Sequence, residues 1–246
     1  MNNKPVLLVI AHGSRDPRHA ATVHALVRRV RALRPDVRVE TGFLDFNVPS
    51  VQGVLESLAV QGVRDVVALP LLLTRAFHAK ADIPAVLADA PPQLRIHQAE
   101  VLGPSPLLLA ALERRLYEAG LSPADKSSTG VVLASAGSTD PEAIAVIAEI
   151  AREWRHTGWC AVRPAFASAS LPSTEDAVRE LRALGCSRVA VAPYVLAPGF
   201  LPDRIARGAA QADVLADVLG PAPEVARVVL ERYEAARAPM LTAVSA

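Results

Sequence analysis

His12, Asp45 and His78 stand 33 residues apart each time in a chain of 246 residues. Two imidazoles and a carboxylate are ligand chemistry for a borderline divalent metal: imidazole suits iron, cobalt, nickel and zinc, and the carboxylate adds charge. Three protein groups leave coordination positions open for a substrate. Nothing brings these residues close in sequence, so the fold must do it. Each follows an apolar run, at residues 5–11, 37–44 and 65–72, and a fourth run covers 94–102. Runs of this length read as strands of a sheet buried on both faces. Segments 17–33, 50–61, 82–90 and 105–119 read as helices, and Asp16 before Pro17 and Ser50 after Pro49 supply the chemistry of helix starts. The alternation implies a mainly parallel, doubly wound sheet with right-handed crossovers. Ligands gather at the C-terminal ends of such strands, and in the common order 2-1-3-4 the loops after strands one, two and three are neighbours. The same residues equally suit structural roles, since polar residues at strand ends occur in nearly every α/β domain.

The chain is written twice. The segment Ala11-His12-Gly13-Ser14-Arg15-Asp16-Pro17 returns as Ser135-Ala136-Gly137-Ser138-Thr139-Asp140-Pro141, at an offset of 124. At an offset of 123 Phe43 meets Phe166, Pro49-Ser50 meets Pro172-Ser173, and Pro70 meets Pro193. Later, Val101-Leu102-Gly103-Pro104 recurs as Val218-Leu219-Gly220-Pro221 at an offset of 117. Two homologous α/β domains, each with a four-stranded sheet flanked by helices, are therefore expected at about 1–122 and 128–246, with residues 121–129 as linker. The repeat also supplies a contrast. His12 becomes Ala136, Asp45 becomes Ser168 and His78 becomes Leu201, while Gly13, Ser14, Asp16, Pro49 and Pro70 keep their counterparts. Backbone-shaping residues survive duplication and the polar trio does not, as a chemical role confined to the first half would leave things.

The other residues able to do chemistry say less. His19 and His24 are five apart on a helix, which turns them about 140° from each other, so they do not chelate as a pair. His97 in a strand and His156 near a helix end read as structural. Cys160 and Cys186 lack CxxC spacing and read as buried, inert thiols. Twenty-six basic residues against 25 acidic leave a net charge of +1, which gives no overall field to hold a nucleic acid. The longest apolar stretches fall far short of the roughly 18 residues that span a bilayer, and a cytoplasmic protein is expected. G-x-G-x-x-G and Walker-type loops are absent, so no organic nucleotide cofactor is expected.

The pieces Leu8-Val9-Ile10-Ala11-His12-Gly13-Ser14-Arg15-Asp16, Phe43-Leu44-Asp45 with Pro49-Ser50, and Pro70-Leu71-Leu72-Leu73 leading to His78 and Asp82-Ile83-Pro84 span most of the first half. In this order and spacing, with the duplication, the chain resembles the class II chelatases of modified-tetrapyrrole synthesis, the sirohydrochlorin chelatases, in their double-length form. The resemblance implies a chelatase-like fold, with His12 and His78 as metal-handling, catalytic residues. A glutamate usually follows the Phe-Leu pair; here Asp45 stands there, one methylene shorter by about 1.5 Å of reach, as third metal residue. Single-domain members work as dimers, so this chain looks like a fused pseudo-dimer, a monomer with one surviving site.

What the resemblance implies for mechanism is insertion of a divalent metal, Fe2+ favoured over Co2+ or Ni2+, into sirohydrochlorin, the metal being substrate. Both pyrrolic N–H protons must leave, and imidazoles, ordinarily titrating near about 6.5, can accept them. Ser14, Arg15, Arg75 and Lys80 are the candidates for the macrocycle's carboxylates. Two rivals stand beside this reading. A non-catalytic carrier would use the same trio without turnover. A phosphometabolite binder would use Gly13-Ser14-Arg15 and Gly137-Ser138-Thr139 alike, indifferent to His12 and His78.

Overall fold

The computed structural model describes residues 4–75 and 81–242; His78 and Lys80 lie outside the described residues. β1 (Val6–Ala11) is buried along its whole length, as an unbroken apolar run requires when both faces are covered. After it come α1 (Pro17–Leu33), β2 (Val39–Phe43), α2 (Val51–Val60), β3 (Asp65–Pro70), α3 (Ile83–Ala88) and β4 (Arg95–Gln98). The four strands form a parallel sheet in the order β2-β1-β3-β4, the order expected from the sequence. Ala11 pairs with Phe43 and Ile10 with Pro70, so the C-terminal ends of β1, β2 and β3 stand side by side. The helix starts are capped as read: the Asp16 carboxylate accepts from the Arg18 amide at 2.9 Å, and Ser50 Oγ accepts from the Gly53 amide at 3.1 Å.

The second sheet repeats the first. α4 (Pro106–Glu118) and a 3-10 turn at Pro123–Ser128 lead into β5 (Thr129–Ser135), α5 (Pro141–Arg155), β6 (Ala161–Phe166), α6 (Thr174–Ala183), β7 (Arg188–Tyr194), α7 (Phe200–Gly208), β8 (Val214–Leu215) and α8 (Pro223–Thr242). Its strands are again parallel, in the order β6-β5-β7-β8.

The compact units are not the two halves of the sequence. One contains residues 1–103 with 221–246, and the other residues 104–220. Each repeat's last helix belongs to the other repeat's sheet: α8 packs on α1, β3 and β4, and α4 packs on β7. Equivalent residues dock the two helices. Arg232 Nη2 donates to the Leu102 carbonyl at 3.0 Å in the first unit, and Arg115 Nη2 donates to the Leu219 carbonyl at 3.0 Å in the second. Tyr233, fully buried, donates its hydroxyl to the Pro5 carbonyl at 2.7 Å. The sequence repeats expected at 1–122 and 128–246 and the compact units thus differ by the exchange of these two helices, because an apolar helix face states that it must be covered and not by which sheet.

Two smaller expectations change. The segment read as linker is ordered: the Asp125 carboxylate accepts from the Ser122 amide at 2.8 Å and its hydroxyl at 2.7 Å, and Lys126 pairs with Glu113 at 2.5 Å. The thiols are not both buried. Cys186 is, but Cys160 is exposed, and their sulfurs lie 3.6 Å apart. Among the described residues no helix is long and apolar enough to cross a membrane.

Candidate functional site

The loop after β1 is shaped by Gly13. Its φ of 94° suits glycine alone, and a Cβ there would lie 1.9 Å from the Asp45 carbonyl oxygen. That close approach lets the loops after β1 and β2 touch. The Asp45 amide donates to the His12 carbonyl at 2.9 Å, and the Ser14 amide donates to Asn47 Oδ1 at 2.8 Å. The structure therefore brings His12 and Asp45 together through their main chains. The second unit keeps this arrangement: Gly137 has φ 93°, and the Ser168 amide donates to the Ala136 carbonyl at 3.0 Å.

Side chains then distinguish the units. His12 is half-buried, with Nδ1 3.2 Å from the Gly13 carbonyl. Asp45 is exposed, and its Oδ1 accepts from the Phe46 amide at 2.8 Å. Among the described residues no three His, Cys, Asp or Glu side chains gather closely enough to hold a metal ion, so a complete trio depends on His78, which lies outside them. Ser14 has its amide committed to Asn47, and its Oγ accepts from the Asp16 amide at 3.1 Å, leaving its hydroxyl proton to offer. Arg75 is exposed and faces Glu100 at 3.9 Å. Arg15 places its guanidinium over the Phe46 ring, 5.1 Å from the centroid.

Three residues around the His12 loop make contacts that sequence reasoning did not anticipate. Phe46 lies 6.3 Å from the His12 ring, centroid to centroid, and adopts φ 60°. Asn47 closes the Ser14 loop from 33 residues away. His19, read as structural, is held below the ordinary imidazole value by burial, with the proximity of His12 acting the same way and Asp16 opposing. Its Nδ1 is buried without a hydrogen-bond partner among the described residues. The helical spacing of His19 from His24 concealed this relation, because the relevant partner is on the preceding loop. His24 instead meets Phe43 edge-on at 5.7 Å, and His156 caps the C-terminus of α5.

The start of α1 is neutralised from within. Asp16 caps it and is paired with Arg18 at 2.6 Å, and this side-chain hydrogen bond holds its carboxyl below the usual range. A carboxylate at the helix N-terminus opposes a bound phosphate there, which weakens the anion-loop rival. Two surface hollows, of about 280 Å³ beside Arg38 and Ser57 and about 270 Å³ beside Ser173 and Arg207, are lined by none of the site residues expected from the sequence.

A repeated four-stranded parallel α/β unit, with an imidazole at the end of the first strand of one copy, defines a two-domain protein of the chelatase fold. The chain belongs to the CbiX family, whose model matches residues 6–119 and again 130–236. It is 30% identical over 206 residues to the sirohydrochlorin cobaltochelatase of Priestia megaterium, a match covering 81% of this chain and 66% of that protein. It is 28% identical over 210 residues to the sirohydrochlorin ferrochelatase of Bacillus subtilis, covering 83% and 78%. The solved structure of SirB from Bacillus subtilis with Fe3+ superposes with a TM-score of 0.82 at 25% identity, covering 97% of this chain and 98% of that one.

Proposed function

We propose that this protein is a sirohydrochlorin chelatase, an enzyme that inserts a divalent metal into the free-base macrocycle, with Fe2+ favoured and Co2+ or Ni2+ as the alternatives. The observation that carries the reading is the family match through both repeats, joined to a histidine at the end of β1 in the first repeat alone. The metal is substrate, and no organic cofactor takes part.

The reaction releases two protons from pyrrolic nitrogens as M2+ enters, and charge balances because the macrocycle gives up two positive charges and gains two. His12 and His78 accept these protons or hold the incoming metal, and Asp45 offsets the positive charge that builds beside them. Its carboxylate bond to the Phe46 amide fixes that charge next to the His12 loop. His19, kept toward its neutral form by burial, adds no competing cation on that side. Arg15, Arg75, Lys80 and the Ser14 hydroxyl meet the macrocycle's carboxylates. The chain acts as a cytoplasmic monomer, which light scattering near 26.0 kDa would support and a dimer mass would refute.

The test is anaerobic incubation with sirohydrochlorin and Fe2+, Co2+ or Ni2+, following the visible spectrum for wild type, His12→Ala and His78→Ala. We expect multiple turnovers with wild type and a rate loss of about 100-fold or more in each variant, the scale of general-base and ligand removal. Unchanged rates in both variants would overturn the site assignment. Metal or macrocycle binding without turnover beyond one equivalent would favour a carrier.

A further inference from the structure

Phe46 is an aromatic side chain that its turn does not require. It sits at φ 60°, a region that costs a bulky non-glycine residue on the order of 1 kcal/mol. Half of the residue, 50%, remains exposed, so a face of the ring is open to a ligand. The second unit shows what the backbone alone demands. Ala169 occupies the equivalent position with the same φ of 60°, inside the same turn, with Asn47 N to Asp45 O and Ser170 N to Ser168 O both at 2.7 Å. An alanine therefore satisfies this conformation. Exposure of the next apolar residue on the loop, by contrast, is common to both units: Val48 is 84% and Leu171 80% exposed. The aromatic ring is what the first unit adds, and it adds it beside His12.

Around the ring are the chemistries that a flat, conjugated, polyanionic ligand requires. The His12 imidazole lies 6.3 Å away with the planes inclined by 33°, and the Arg15 guanidinium stands 5.1 Å from the Phe46 centroid. A tetrapyrrole whose central nitrogens are at His12 is wide enough for its pyrrole rim to reach that ring. Offset stacking then sets the height and tilt of the macrocycle, and Arg15, steadied by its contact with Phe46, is placed for a peripheral carboxylate.

We infer that Phe46 is a substrate-contact residue that stacks on the tetrapyrrole beside His12 and, with Arg15 against its ring, selects for a planar macrocycle bearing carboxylates. This rests on the chelatase reading above. The test compares wild type with Phe46→Ala and Phe46→Tyr in the full chain, measuring KM and kcat for metal insertion and the Kd of metal-free sirohydrochlorin from its absorbance shift. Phe46→Ala should fold normally, since Ala169 already holds that geometry. Its KM and Kd should rise about three- to tenfold, the range of one aromatic stacking contact, while kcat changes less than twofold. Phe46→Tyr should return both constants to within about twofold of wild type. Wild-type KM and Kd in a folded Phe46→Ala variant would overturn the inference while leaving the chelatase reading intact. Failure of wild type to bind or metallate sirohydrochlorin would remove the reading and this inference with it.

Discussion

Replacing Gly13 by alanine should damage stability and activity together, whereas the same change at Gly137 should damage stability alone. Both glycines hold φ near 94°, and the added Cβ would lie 1.9 Å from the Asp45 carbonyl oxygen or 1.8 Å from that of Ser168. Real Cβ atoms essentially never come within 3.0 Å of such an atom, so a loop must move by about an ångström or more. Left-handed backbone costs a residue with a Cβ roughly 1–2 kcal/mol. Moving the loop also endangers the bond from the Asp45 amide to His12 and that from the Ser14 amide to Asn47, each contributing about 1 kcal/mol. The expected loss is about 3–4 kcal/mol for Gly13→Ala, or about 6–16 °C in Tm at roughly 2–4 °C per kcal/mol for a chain of this size. Gly137→Ala should fall near the same range. Thermal and urea denaturation read the first half of the prediction, and metal insertion well below the melting range reads the second. Gly13→Ala should lose activity through displacement of His12 against Asp45, while Gly137→Ala, whose loop carries Ala136 and Ser168, should keep it. An unchanged Tm in either variant would refute the steric argument, and equal loss of activity in both would refute the confinement of chemistry to the first unit.

Two further outcomes follow from the exchanged helices. Tyr233→Phe should destabilise the protein by about 1–3 kcal/mol, measured by urea denaturation, because it leaves the Pro5 carbonyl without the phenol donor on α8; a neutral result would mean that α8 does not depend on this anchor. In the second unit burial raises Glu113, but the Lys126 ammonium and the Tyr117 hydroxyl outweigh it and hold the carboxyl below its ordinary 4.5, so its contribution is present above that pH and is lost as pH falls through the lower folded value. Burial and Glu113 push the Tyr117 phenol up to about 12, so its contribution is complete below its ordinary value of 10 and disappears between 10 and 12. Glu113→Gln should flatten the acid limb of a plot of urea midpoint against pH, and Tyr117→Phe the alkaline limb; limbs as steep as in wild type would refute the assignment.

Much of this architecture is local in origin. The all-buried β1, the Asp16 and Ser50 caps and the Gly13 turn are consequences of a few adjacent residues, and duplication displays each of them twice. The strand order β2-β1-β3-β4 is the common one for alternating strands and helices of this kind, so the neighbourhood of His12 and Asp45 was legible in the sequence. The contacts that surround His12 were not. Asn47 reaches the Ser14 amide across 33 residues, Phe46 comes within 6.3 Å of His12, and both depend on how one loop lies over another.

The amino-acid sequence by itself determined the strands, the helices, their caps, the repeat and the asymmetry of His12 against Ala136, because hydrophobic period, turn chemistry and residue identity are properties of short stretches of chain. Tertiary structure alone decided that α4 and α8 change sheets, that Arg115 and Arg232 anchor them, and that an exposed phenylalanine stands beside the histidine. An apolar helix face gains the same free energy against either of two similar sheets. The choice lies in packing between residues more than 100 positions apart, which no local pattern records.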